Sequence, residues 1–110
     1  MKKDNLLYLK HILEAINNID DFVKDINDLS DFIKDKKTRD AVLRNFEMIG
    51  EAARNLDEEF TNNNTSVEWD KIIGMRNFII HEYFGVDLEI VWETIKKDLP
   101  LFKKEIEKLL

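Results

Sequence analysis

The sequence predicts an all-α protein, an up-and-down bundle of four main helices, or five if the chain turns at Pro100. Three observations predict it. Three glycines and one proline in 110 residues are too few for a fold of many tight turns, while Leu, Ile, Lys, Glu and Asp dominate. Apolar residues recur at three- and four-residue intervals over long stretches. The polar connections between those stretches are short, which favours antiparallel neighbours. The length suits a single domain spanning residues 1–110, large enough to build an apolar core without disulfide or metal staples.

The first helix starts near Asp4 or Asn5 and carries the seam Leu6, Leu9, Leu13, Ile16, Ile19, Val23 and Ile26. Asn27 to Asp31 reads as a turn, because short polar side chains there compete for backbone hydrogen bonds, with Phe32 and Ile33 against the core. The second helix has Thr38 as its expected N-cap and the seam Val42, Phe46, Ile49, Ala53, Leu56 and Phe60. Thr61 to Ser66 has no apolar periodicity and is a surface connection. A third helix begins around Val67 to Asp70 and is expected to end at Gly85. The fourth takes Asp87 as cap, and its seam of Leu88, Trp92, Ile95, Leu99, Phe102, Ile106 and Leu109 keeps phase through Pro100, which implies a kink there. Gly50 and Gly74 fall inside helices, where close helix approach would explain them.

Composition narrows the chemistry. With no cysteine there is no disulfide, thiolate metal site or cysteine nucleophile. The sequence contains no uninterrupted apolar stretch of membrane-spanning length, and the apolar run after Asp4 is broken at Lys10, too early for a secretory signal, so the expected location is the cytoplasm. The sequon at Asn63 is then part of a polar loop. A net charge of −6 is a poor global field for attracting phosphate backbones, so any nucleic-acid role must rest on a local site. Lys34, Lys36, Lys37, Arg39 and Arg44, diluted by Asp35 and Asp40, form a basic cluster that is either a guide for RNA or a solvated helix start.

The segment from Ile72 to Phe84 differs from the other helices in being apolar on nearly every side. Ile72, Ile73, Ile79, Ile80 and Phe84 cover one arc, with Met75 and Phe78 on the opposite one. One small bundle cannot easily bury both, which predicts a homodimer with this helix at or near the two-fold interface. Set into it are Arg76, Asn77, His81 and Tyr83, groups costly to bury unless hydrogen-bonded or working. Asn77 and His81 share a face, so the amide could fix the imidazole's tautomer.

Two readings of these groups stand side by side. One is a metal-free phosphodiester site, in which His81 moves a proton at a ribose 2′-hydroxyl, Arg76 holds the phosphate through its bidentate fork, and a second copy supplies the further acid or base. In the other, Arg76 and His81 merely hydrogen-bond between helices to Glu47 or Glu51. Glu47 and Glu51 are four apart but lack the histidines a bundle metal site needs, which assigns them to orienting Arg76 or pairing with Arg44 and Arg54. His11 and Tyr8 read as residues at the core edge, and Trp69 and Trp92 as packing groups.

The run Arg76-Asn77-Phe78-Ile79-Ile80-His81-Glu82-Tyr83 resembles the signature of HepT-like proteins of the HEPN superfamily. Arg44 to Ala53, Trp69 to Met75, and Val91 to Ile95 through Asp98-Leu99-Pro100 resemble that family's flanking blocks in order and spacing, so the likeness covers essentially the whole chain. It implies a dimeric all-helical toxin that cleaves RNA without a metal or cofactor. Its partner would be a minimal nucleotidyltransferase antitoxin that transfers AMP from ATP to the motif tyrosine. Carried over by position, Arg76 and His81 are the ribonuclease residues, Asn77 the polar companion and Tyr83 the residue that takes AMP. A different reading of the same likeness is a non-catalytic nucleotide-binding or accessory subunit of such a nucleotidyltransferase. No phosphate-cradling glycine loop occurs in the chain, so the nucleotidyl transfer would come from another chain.

Overall fold

The computed structural model describes residues 3–81 and 87–110, with side chains described for 4–75 and 87–110. Every regular element among them is helical. They are α1 (Lys3–Val23), α2 (Leu29–Lys34), α3 (Lys36–Arg54), α4 (Glu58–Asn62), α5 (Trp69–His81), α6 (Leu88–Glu93) and α7 (Leu99–Leu109), with a π-helical turn, Thr94–Asp98, joining α6 to α7. The four main helices of the sequence reading are α1, α3, α5 and the α6–α7 arm.

α1 and α3 run antiparallel, because Asn5 meets Asp57 at one end of the pair and Asn18 meets Asn45 at the other. Both contacts satisfy buried polar groups. The Asn5 side chain donates to Asp57 Oδ2 at 3.1 Å and accepts the Asp57 backbone N–H at 3.1 Å. Asn45 donates to the Ala41 carbonyl at 2.8 Å and accepts from Asn18 at 3.3 Å. α3 packs between α1 and α5, and α7 lies against α1. Trp69 meets Phe102 edge-on, with ring centroids 6.4 Å apart, and Lys71 reaches Asp98 at 3.9 Å, so the first turn of α5 lies beside the start of α7. The Cα atoms span 42 × 27 × 19 Å, a thickness suited to two helical layers whose axes lie about 10 Å apart.

The core joins Ile12, Ile16 and Ile19 of α1, Val42, Phe46 and Ile49 of α3, and Val91, Ile95, Leu99 and Ile106 of the last arm. Phe32 is fully buried against Trp92, with centroids 5.2 Å apart. Trp69 donates its indole N–H to the Asn64 carbonyl at 3.0 Å, and both tryptophans are packing groups.

Several local expectations need correction. The predicted turn before Phe32 becomes α2 from Leu29, because Asp28 caps the Asp31 N–H at 2.9 Å; Ile33 then falls on the outer side, 44% exposed. α3 is capped by Asp35 instead of Thr38: Asp35 accepts the Thr38 N–H at 3.0 Å and its hydroxyl at 2.7 Å. α3 stops at Arg54, so Phe60 sits on the separate helix α4, which enters the expected surface connection as far as Asn62. In α1, Ile12 and Ala15 are buried where Leu6 and Leu13 are only half-buried, and Ile26 lies past the helix end. Pro100 lacks an N–H, and the turn before it widens so that the Leu99 N–H reaches the Thr94 carbonyl; phase is kept and the arm continues. Asp87 caps α6 as expected, accepting from Glu89 and Ile90.

Candidate functional site

The second layer covers only one side of the α1, α3, α5 layer. On that side Phe46 and Ile49 of α3, Ile72 and Met75 of α5, and Leu99 and Phe102 line an apolar groove of about 200 Å³. An α-helix turns about 100° per residue. Arg44, Glu47, Met48 and Glu51 therefore lie about 130–170° round α3 from the groove residues, and Asp70, Gly74, Asn77 and His81 about 130–170° round α5 from theirs. On α1, His11 and Glu14 lie opposite the buried seam by the same geometry. The three helices thus present one open face. Glu47 and Glu51 lie on it, as do Asp70 and Gly74 of the described turns of α5, whose register Asn77 and His81 share.

Between α1 and α3 this face sinks into a cleft of about 550 Å³ lined by Tyr8, His11, Glu14, Arg44, Glu47 and Glu51, among others. Arg44 pairs with Glu47 at 3.4 Å, as the spacing predicts. Glu51 accepts from Asn55 Nδ2 at 3.5 Å, where the sequence reading gave Arg54 as a possible partner. Tyr8 is half-buried at the core edge, whereas His11 is exposed in the cleft. Sequence reasoning missed that these two share a cleft with Glu47 and Glu51. The signal that could have found it is that His11 and Glu14, like Glu47 and Glu51, face away from their own seams; the pairing of α1 with α3 supplies the rest.

The backbone of α5 carries Arg76, Asn77 and His81 on one continuous helix. Arg76 falls in register with Trp69, Ile72 and Ile73, about 140° round the axis from His81, and Asn77 and His81 fall in register with the exposed Asp70 and Gly74. The expected contacts of Arg76 with Glu47 or Glu51, and of Asn77 with His81, involve side chains outside those described. Tyr83 and the expected helix end at Gly85 also lie outside the described residues. Over the described turns, Ile72, Ile73 and Met75 are half-buried. Among the described residues, no group of three His, Asp or Glu side chains is placed to hold a metal ion, and no helix is long and apolar enough to cross a membrane.

Gly74 is exposed, and nothing described lies within 4 Å of a Cβ built there, so no described helix of the same chain accounts for the glycine. A glycine inside a helix costs about 1 kcal/mol relative to alanine. Gly50, by contrast, is buried in α3.

The family model described as Ribonuclease HepT-like matches residues 12–109. "Probable ribonuclease HepT" of Thermococcus cleftensis is 42% identical over 109 residues, 99% of this chain and 98% of that one. A Methanocaldococcus jannaschii protein named "Gamma-glutamylcyclotransferase and putative RNase" is 44% identical over all 110 residues, and this chain spans 49% of its length. No solved structure matches. A family match that runs from α1 to the end of α7, with a relative 42% identical over nearly the whole of both chains, places this chain in the HepT-like ribonuclease family.

Proposed function

We propose that this chain is an RNA endonuclease toxin that works without a metal ion. The reading is carried by one observation: a family match over residues 12–109 that contains Arg76, Asn77 and His81 on a helix whose described outer positions, Asp70 and Gly74, are exposed. In the reaction, His81 takes the proton from a ribose 2′-hydroxyl. The freed oxygen attacks the adjacent phosphorus, the bond to the 5′ oxygen breaks, and a second acid protonates the leaving oxygen. Arg76 holds the phosphate and offsets the charge that builds on its oxygens. Asn77, in register with His81, holds the imidazole tautomer, and Glu47 and Glu51 orient the arginine. A homodimer with α5 near its two-fold axis supplies the second acid. The substrate and ATP place the reaction in the cytoplasm.

Silencing belongs to a partner nucleotidyltransferase antitoxin. The Tyr83 oxygen attacks the α-phosphorus of ATP, pyrophosphate leaves, and the phenolic proton is lost. The bound AMP adds bulk and negative charge two residues from His81, where the RNA phosphate must sit.

The test uses the chain purified without its antitoxin and incubated with RNA in chelator. Cleavage is expected from wild type and a loss of at least 100-fold from Arg76→Ala and from His81→Ala, in line with the removal of an acid–base or oxyanion group. Cleavage that survives both substitutions refutes the site; intact RNA with wild type favours an accessory subunit. After co-expression with the antitoxin, mass spectrometry is expected to find adenylate on Tyr83, and a Tyr83→Phe protein that is still neutralised by that transfer refutes the silencing step.

A further inference from the structure

We infer that Gly74 is kept bare so that an unpaired stretch of RNA substrate can lie against the backbone of α5 beside His81. The inference rests on the ribonuclease reading and deepens it. Three observations carry it. First, among the described residues nothing lies within 4 Å of a Cβ placed at the glycine, and the residue is exposed. A bare position that costs helix stability with no neighbour to accommodate is expected where something external comes close.

Second, its register is that of the motif. Asp70, Gly74, Asn77 and His81 follow one another at intervals of four, three and four residues, so they form one stripe along α5. Gly74 stands about 10 Å along the axis from His81, at 1.5 Å per residue. A ligand engaged at His81 and extending along the stripe must pass over it.

Third, the surroundings select the occupant. The stripe is polar rather than apolar, unlike the groove on the other side of α5, which makes it a poor centre for a subunit interface. The carboxylates nearby, Asp70 on the stripe and Glu47 on the same open face, accept hydrogen bonds and repel phosphates. A strand passing here therefore turns its 2′-hydroxyls and base N–H groups toward the protein and its phosphates outward. That presentation requires unpaired bases and ribose, which excludes a duplex and disfavours DNA.

The experiment compares wild type, Gly74→Ala and Gly74→Leu, each also in a His81→Ala background. Both substitutions are expected to raise Tm, by about 4 °C or more for alanine, because the helix gains and nothing clashes. Gly74→Leu is expected to lower cleavage of a single-stranded RNA at least tenfold, with alanine intermediate. In the His81→Ala background it is expected to weaken binding of a fluorescein-labelled single-stranded RNA by a similar factor. Light scattering should show the wild-type assembly state throughout. Undiminished cleavage and binding by Gly74→Leu overturn the inference while leaving the ribonuclease reading intact. A changed assembly state overturns it in favour of a second copy seated at Gly74. Wild type that neither cuts nor binds RNA removes both readings, whereas wild type that binds without cutting leaves the binding comparison to decide.

Discussion

At Asp35 the chain settles a competition between two capping residues. Asp35 and Thr38 stand three apart, and either can begin a helix. Asp35 wins because its carboxylate accepts both the backbone N–H and the hydroxyl of Thr38, leaving the threonine inside the first turn. The backbone N–H of Thr38 holds the Asp35 carboxyl below the usual carboxylate range. The Thr38 hydroxyl adds to this, burial opposes it, and the charges of Lys37 and Arg39 each lower the pKa by less than burial raises it. A carboxyl whose pKa is lowered by folding stabilises the fold above its unfolded value, near pH 4, and that contribution is lost as pH falls through the lowered value. Asp35→Asn keeps an acceptor without the charge, so thermal melts are expected to show a flatter decline of Tm between pH 4 and pH 2 than in wild type. A decline of equal steepness would remove Asp35 from the acid response. A second residue-scale prediction concerns Asn5. It is buried, and both ends of its amide are used on Asp57. Asn5→Ala leaves the Asp57 N–H without that acceptor and is expected to cost about 1–3 kcal/mol in urea unfolding; a cost below about 0.5 kcal/mol would mean that water replaces it.

At the scale of elements, periodicity was sufficient for α1, α3 and the last arm, since each buries one face. It failed where an element is short or where a backbone group sets the boundary. α2 has six residues, too few to display a period, and it exists because Asp28 caps it and Phe32 anchors it. Phe60 continues the spacing of the α3 seam, yet it belongs to α4, because the intervening Asn55 and Asp57 end one helix and begin another. The phase through Pro100 was legible; the π-helical turn that preserves it was not, since it depends on where the missing N–H leaves a carbonyl. The site was legible as a motif on one helix. Which arc of α5 stays open depends on the side that α7 covers, and only packing supplies that. The contact that joins α2 to α6 offers a test. Phe32→Ala removes a fully buried ring from Trp92 and is expected to cost about 3–5 kcal/mol, whereas Ile33→Ala beside it is expected to change little. Equal costs would contradict the orientation of α2.

For the whole molecule, the decisive feature is that two layers of helices leave two unlike surfaces beside α5. One is the polar open face that carries the register of Asn77 and His81. The other is the apolar groove, over which Leu101 stands 63% exposed and beside which Met75 is half-buried. Phe78 follows Met75 by three residues, so the arc that the sequence left for a partner lies on the groove side and borders the His81 register. A second copy seated along the Met75 and Phe78 arc, between the groove and the stripe, would bring two α5 helices together with each polar stripe at the rim of a shared cleft. With a net charge of −6 on each chain, such an association must be held by apolar contact against charge repulsion. Leu101→Asp adds charge at that contact without touching the core. Light scattering is expected to show wild type at twice 13.1 kDa and the variant at once that mass, with an unchanged helical circular dichroism signal. RNA cleavage should fall with the dimer and recover as protein concentration rises, because in the proposed reaction the other copy supplies the second acid. A wild-type protein that remains a monomer while cutting RNA would separate the chemistry from the two-fold arrangement. A Leu101→Asp protein that stays dimeric would move the interface to another surface.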